Sequence, residues 1–314
     1  MKNLVGLSLL ALSVMGLPPA QAQTDWPTRP ITITVGFAPG GTVDVVARAV
    51  GETLSKHLGK PVVIESRPGG GGAVAATALM QTKPDGYNLV ATGSPTVTFD
   101  PQVSSLAFSL NDFTYVAAVA QFPEALIAKP SKGWTSLKEA IASAGPNGRL
   151  TFGSSTPLDK LLAEYIAKKA NVAMDPVPFK GGAEVVAAVM GGHVDAGYST
   201  GAYVPLAKDG SLSVMAVLGE NRVPSFPNVP TLKELGFEFA SSHHIIFMAP
   251  KGIPQDVMAK FSAAFKATMS DPALTEFMTK RSLTPVSLTG NDLVATMKRE
   301  ADAYGTLVKQ AKTQ

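Results

Sequence analysis

The 314-residue chain has no cysteine, four histidines, 7% aromatic residues and only 16% charged residues. Lack of cysteine excludes disulfides, thiol nucleophiles, thiolate metal sites and lipid attachment through an N-terminal cysteine. The few scattered histidines leave little from which to build a zinc site, so no metal and no cofactor are expected. Neither sign of charge predominates: 27 Lys and Arg oppose 24 Asp and Glu, a net of +3. A nucleic-acid binder needs a basic stripe, so no nucleic-acid partner is expected. What is present is 45% hydrophobic content over a length that suffices for two lobes, each with its own core.

Met1 to Ala22 reads as a secretory signal. Lys2 supplies the positive start, Leu4 to Leu17 an apolar stretch, and Ala20-Gln21-Ala22 the small-x-small cleavage pattern. The apolar stretch is shorter than the ~20 residues that a membrane span requires, and Pro18-Pro19 breaks it. The mature chain is expected to begin near Gln23 as a soluble, periplasmic protein.

Ile31 to Phe37 alternates as a strand does and ends at Ala38-Pro39-Gly40-Gly41, after which Val43, Val46, Ala47, Val50, Leu54 and Leu58 recur at helical spacing. A β-branched strand over Pro61 to Glu65, a four-glycine loop, an alanine-rich helix over Ala73 to Gln81 and a strand over Tyr87 to Thr92 follow. The pattern restarts after Pro123. Strands are expected at Leu126–Ala128, Arg149–Gly153, Pro176–Phe179, Val194–Tyr198 and Met215–Leu218, with helices at Leu137–Ser143, Leu158–Lys169 and Ala183–Met190. A Pro-rich connection, the apolar run His244–Ala249 and two final helices, Gln255–Ser270 and Asn291–Lys309, complete the chain. The fold class is therefore α/β: two lobes of parallel-dominated sheet with helices on both faces and a ligand cleft between them. Residues 23–124 and 245–314 are assigned to a discontinuous first lobe and residues 125–244 to a second.

Each lobe places a small-residue turn between a strand and a helix start: Phe37, Ala38, Pro39, Gly40, Gly41 and Thr42 in the first, Gly153, Ser154, Ser155, Thr156 and Pro157 in the second. Helix N-termini carry unpaired N–H groups and about half a positive charge, so such turns suit anions. In open α/β sheets they sit at the carboxyl ends of strands, where ligands bind. Two of them across a cleft would suit a ligand with a carboxylate at each end. The alternative is that Thr42, Ser155 and Thr156 simply cap their own helices. Asp44, in a first helical turn, has the same two readings. Ser94, ending another strand, is a candidate for the same cleft, and Tyr198 and Phe179 are candidates for its walls. The four-glycine loop lacks any nucleotide-binding spacing and reads as a tight turn lining the cleft. Of the pair His243-His244, one is expected to be exposed and the other packed, with His243 a cleft candidate. Lys298, Arg299 and Glu300 read as a solvated helix face. Gly197-Tyr198-Ser199-Thr200-Gly201 matches the nucleophile-elbow pattern, so a serine hydrolase using Ser199, Asp209 and one of these histidines is a rival reading. No His-Gly-Gly-Gly element accompanies it.

Several segments taken together resemble the Bug family, the TctC-like periplasmic solute-binding receptors of tripartite tricarboxylate transporters. They are Trp26-Pro27, Pro39-Gly40-Gly41-Thr42-Val43-Asp44, Arg67-Pro68-Gly69, Pro84-Asp85-Gly86-Tyr87, Pro178-Phe179-Lys180-Gly181, Gly191-Gly192-His193-Val194-Asp195 and Pro250-Lys251-Gly252-Ile253-Pro254. The resemblance implies a monomeric, hinged, non-enzymatic receptor that closes on an organic carboxylate and delivers it to one large and one small membrane subunit. A ligand-sensing receptor for a signalling partner is a variant of the same reading. Site residues implied are Phe37 to Thr42, and also Ser94, Ser154, Ser155, Thr156, Gly181, Gly182 and Asp195. The chain departs from the pattern in a shorter second-lobe loop, in Lys160 where a histidine is common, in Phe179 where tyrosine is common and in Ser66 where asparagine is. The shorter loop and Phe179 leave room for a bulkier, aromatic dicarboxylate.

Overall fold

The structure, a computed structural model, describes residues 25–145, 148–241 and 243–313, so the export signal read at Met1–Ala22 lies outside the described residues. Its first part runs β1 (Ile31–Val35), α1 (Thr42–Leu58), β2 (Val62–Ser66), α2 (Ala73–Leu79), β3 (Asn88–Gly93), α3 (Pro95–Thr98), α4 (Asp100–Val103) and β4 (Phe113–Gln121). The middle part is β5 (Ala125–Ala128), α5 (Leu137–Ala144), β6 (Arg149–Ser154), α6 (Pro157–Ala170), β7 (Ala173–Pro178), α7 (Gly182–Gly191), β8 (Ala196–Ser199), α8 (Val204–Lys208) and β9 (Ser213–Val217). The last is β10 (His244–Pro250), α9 (Gln255–Met269), α10 (Pro272–Lys280), β11 (Thr284–Leu288) and α11 (Gly290–Thr313).

These strands form two sheets, ordered β11-β4-β10-β3-β1-β2 and β7-β6-β8-β5-β9. Alternation in β1 puts Ile31, Ile33 and Val35 in the core, and the helical spacing of α1 lays Val46, Ala47, Val50 and Leu54 against them. Phe261 and Phe265 of α9 fill the same side, while Leu293 and Met297 of α11 pack with Ile246 and Met248 on the other. In the second sheet, Leu162 and Ile166 of α6 cover one face and Val185 and Val189 of α7 the other.

The expectation of parallel-dominated sheets needs correction, because the sheets are mixed. Parallel pairing joins β1 to β2 and β3, and β6 to β7 and β8. Antiparallel pairing joins β10 to β3 and β4, β11 to β4, and β5 to β8 and β9. The antiparallel strands are those at the crossings: β10 re-enters the first sheet from the second and slots between β3 and β4. A strand arriving without a crossover helix has no need to run parallel.

Strand β4, helix α10 and strand β11 were not anticipated. FTYVAAVAQ is buried along nearly its whole length, so it shows no alternation from which a strand would be read. Glu300 also departs from expectation. It is 5% exposed, and its Oε1 accepts from Ser94 Oγ (2.5 Å) and Thr98 Oγ1 (3.0 Å) while Oε2 lies 3.5 Å from His244 Nδ1. The helix is amphipathic in two senses along its length. Its first half packs with the first sheet, and beyond Glu300 its Tyr304, Leu307 and Val308 join the core cluster of the second.

Glu300 is thus the polar joint at which the terminal helix passes from one core to the other. Replacing it by Ala leaves the Ser94 hydroxyl buried without its acceptor, while Thr98 Oγ1 keeps the Ser94 carbonyl at 2.9 Å, and should cost about 1–3 kcal/mol. Urea unfolding of Glu300→Ala measures this; a loss below about 0.5 kcal/mol would show that the joint contributes nothing beyond a surface contact.

Candidate ligand-binding site

The turn after β1 is shaped by Asp44. The φ of Gly40 is +81°, in the left-handed region that favours glycine, and its N–H donates to Asp44 Oδ2 (2.9 Å). The same carboxylate takes a fork from Arg48, Nε to Oδ2 at 3.1 Å and Nη2 to Oδ1 at 2.9 Å, plus Ser66 Oγ at 3.3 Å. Burial acts to raise its pKa, but Arg48, the Gly40 N–H and Ser66 together outweigh it and hold the carboxyl below its ordinary value. Gly41 N–H closes the turn on Ala38 O (3.2 Å). The N–H groups of Thr42 and Val43 precede the first hydrogen bond into α1, from Val45 N–H to Gly41 O (3.0 Å), and so stand among the helix's orphan donors. Gly41 is the N-cap, so Thr42 does not cap its own helix.

The second-lobe turn before α6 is different. Asp159 Oδ2 accepts from the N–H of Ser155 (2.7 Å) and Thr156 (3.0 Å) and from Ser155 Oγ (3.0 Å), and Oδ1 accepts from Thr156 Oγ1 (2.5 Å). This capping box sets a fully buried carboxylate where an incoming anion would sit. The unengaged start is that of α7. Gly181 is an N-cap without side-chain capping, and the first bonds into α7 come from Glu184 and Val185, both to Gly181 O. Gly182 and Ala183 therefore keep orphan N–H groups.

The starts of α1 and α7 meet across the lobes. A methyl group added at Gly181 would lie 4.0 Å from Ala38 Cβ, and one at Gly201 would lie 3.4 Å from Thr42 Oγ1. Between them is a cavity of about 50 Å³. Phe37, Ala38, Gly41, Thr42, Ser155, Thr156, Gly181, Gly182, Tyr198 and His243 all line it. Among the described lining residues no Lys or Arg is present and Glu184 is the one acid, its Oε2 taking the Lys180 N–H (3.1 Å), so the donors available to a negative group are backbone N–H, hydroxyl and imidazole groups.

Beneath the cavity is a buried cluster that the sequence reading missed. The Tyr198 hydroxyl donates to Glu124 Oε1, and His243 Nδ1 faces the same oxygen at 3.0 Å. Phe122 packs on the imidazole with ring centroids 4.2 Å apart. Burial, then the negative charge of Glu124 and Asp159, pushes the Tyr198 phenol well above its ordinary pKa, so it remains a donor. The available signal was that Glu124 is the only charged residue in the apolar stretch 113–128. Neither histidine is exposed: His243 turns to Glu124 and His244 to Glu300.

The remaining site candidates fall elsewhere. Pro39, Gly40 and Asp44 shape the first turn from outside the cavity wall. Ser94 is fully buried, bonded to Glu300 and to the His244 N–H (2.9 Å). Asp195 lies toward the other end of β6, taking Thr151 N–H (2.9 Å), Thr151 Oγ1 (2.8 Å) and Lys132 Nζ (2.5 Å). Ser154 lines a second, larger groove of about 1250 Å³ between the glycine loop and α6, and this groove shares Ser155 and Thr156 with the small cavity. The hydrolase geometry is not assembled: Ser199 Oγ is buried without a hydrogen-bond partner, and Asp209 accepts from Ser211 N–H (2.9 Å).

At the lobe junction Asp100 of α4 approaches Asp159 of α6. A methyl on Gly71 would lie 3.2 Å from Asp100 Oδ2, and Oδ1 is buried without a partner. Burial, and secondarily the Asp159 charge, pushes the Asp100 carboxyl up to about 8.

The sequence model of the tripartite tricarboxylate transporter family receptor matches residues 46–312. A curated relative, the UPF0065 protein in the gbd 5' region of Cupriavidus necator, is 34% identical over 282 residues, covering 88% of this chain and 86% of its own. A solved structure described as a periplasmic transporter superposes with a TM-score of 0.85 at 27% identity, covering 91% of this chain and 98% of that one. An R. palustris protein solved with adipate gives 0.83 at 26% identity, covering 92% and 99%. The two-lobed α/β architecture is common to these structures and this chain.

Because the folded state binds a proton at Asp100 more readily than the unfolded chain does, the stability this residue contributes is full below its ordinary value of 3.8 and is lost as pH rises through about 8. Asp100→Asn, an isostere of the protonated acid, should melt at least about 2–4 °C above the parent at pH 8.5, the gap narrowing toward pH 5. Melting curves across that range that stay parallel would show that Asp100 is not a proton-linked group.

Proposed function

Because this chain belongs to the tripartite tricarboxylate transporter receptor family, we propose that it is a periplasmic solute-binding protein that captures an organic carboxylate between its lobes and delivers it to one large and one small membrane subunit. The observation that carries this reading is the meeting of the α1 and α7 starts, one from each lobe, on a single cavity without lysine or arginine in its wall. Two helix N-termini favour a carboxylate, and each orphan N–H gives a charge-assisted bond that strengthens as bulk water is excluded. Binding of this kind needs both lobes in contact, so capture and closure are one event.

In this reading residues 23–124 and most of 245–314 move as one lobe against 125–244, with α11 bridging them. Thr42, Gly182 and Ala183 hold the carboxylate, and Tyr198 and His243 form the floor. The protein acts as a monomer and performs no covalent chemistry, consistent with a Ser199 hydroxyl that meets neither histidine. Export through Met1–Ala22 puts the receptor in the compartment named for its structural neighbour. Among the described residues no helix is long and apolar enough to cross a membrane. The adipate held by the R. palustris neighbour supports an aliphatic dicarboxylate as the class to test first, with aromatic diacids beside it.

A thermal-shift screen of the mature protein against mono-, di- and tricarboxylates and their esters tests the reading. A cognate acid at 100 times its Kd should add about 2.7 kcal/mol and move the melting temperature by several degrees, while its full ester does nothing. Thr42→Val, which removes one hydroxyl donor and keeps the shape, should weaken that acid about tenfold or more by calorimetry. Stabilisation by esters, or an unchanged affinity in Thr42→Val, would count against this placement. N-terminal sequencing of the periplasmic product should begin at Gln23.

A further inference from the structure

The two cavities differ in size and in charge, and they share a wall. The inner one, about 50 Å³, accommodates a group of carboxylate size, far below the roughly 300–1,000 Å³ of small-molecule pockets. The outer groove, about 1250 Å³, exceeds that range and meets the inner cavity at Ser155 and Thr156. With Asp159 occupying the donors of the α6 turn, a second carboxylate of a short diacid finds no free N–H cluster there. Ser155 and Thr156, which line both cavities, are where a longer ligand anchored inside would reach the outer groove.

The groove it enters is built for an apolar body. Gly69, Gly70 and Gly71 all have positive φ and present no side chain, so one wall stays open, while Leu161, Tyr165 and Phe179 supply apolar surface opposite. Its charge is strongly one-sided. Among the described lining residues, Lys160, Lys168, Lys169 and Lys180 are cationic and Glu164, 3.8 Å from Lys160, is the one acid. A field of that sign attracts an anion and disfavours a neutral or cationic end.

We infer that the ligand is an extended dianion, with one carboxylate held inside by α1 and α7, an apolar chain or ring system in the outer groove, and a second anionic group at the lysines of α6 and the Phe179-Lys180 corner. The inference rests on the carboxylate reading above and narrows its substrate class to long, apolar-bodied diacids over short ones.

Calorimetric titration of the mature protein with butanedioate, decanedioate, naphthalene-2,6-dicarboxylate and the monomethyl esters of the last two tests it. Either long diacid should bind at least about tenfold more tightly than butanedioate, because the added apolar surface leaves water. Lys160→Ala combined with Lys180→Ala, both exposed side chains, should weaken the long diacids about fivefold, less so at high salt, and leave the monomethyl esters unchanged. Butanedioate binding as tightly as the long diacids, or a double variant that leaves all affinities alone, would overturn the inference while the carboxylate receptor stands. Failure of every acid to bind would overturn both.

Discussion

Four donors of the Ser155-Thr156 turn, two N–H groups and two hydroxyls, converge on the buried carboxylate of Asp159. Helix starts present unpaired N–H groups that demand a negative partner. The chain meets that demand internally at α6 and leaves it open at α1 and α7. This single allocation decides much of the rest. It fixes which helix starts keep unpaired donors, it gives Asp100 a neighbouring buried carboxylate of the same sign, and it leaves a cavity whose free donors come one set from each lobe.

The lobes are joined through buried polar clusters rather than through apolar packing alone. His243 and His244 are adjacent in sequence at the point where the chain returns to the first sheet, and they turn to different carboxylates, Glu124 of the first crossing and Glu300 of the terminal helix. The three places where the chain passes between cores are therefore linked by hydrogen bonds with directional requirements. Such links tie the two cores together with directional requirements that apolar packing lacks. The α1 and α7 starts lie directly over one of these clusters, since Tyr198 and His243 line the same cavity.

Several site candidates have their side chains engaged within the chain. Asp44 and Asp195 are acids near strand and helix ends, as a ligand contact would be, yet Arg48 and the Gly40 N–H engage the first and Lys132 and Thr151 the second. Ser94 ends β3 beside the cleft, but its hydroxyl faces Glu300 from a helix two hundred residues later. Glu300 sits among charged neighbours and was read as solvated, while its own side of the helix is covered by both lobes. A one-dimensional pattern gives a side chain's chemistry and its face, whereas its partner is set by whatever other segment folds against that face.

Alternation in Ile31–Val35, helical spacing in α1 and α6, the turn glycines and the paired strand–turn–helix pattern were all legible because each is a local property, repeated every two or 3.6 residues. They point to an α/β chain of two lobes with helix starts at the carboxyl ends of strands. Strand β4 was not legible, since a run buried on both faces carries no period, nor was the antiparallel entry of β10. Which donors remain open was a matter for the tertiary structure alone. It depends on whether Asp159 turns inward, on Glu124 meeting Tyr198 and His243 from three separate segments, and on the distance between Ala38 and Gly181, all of which are set by long-range packing that no local spacing encodes.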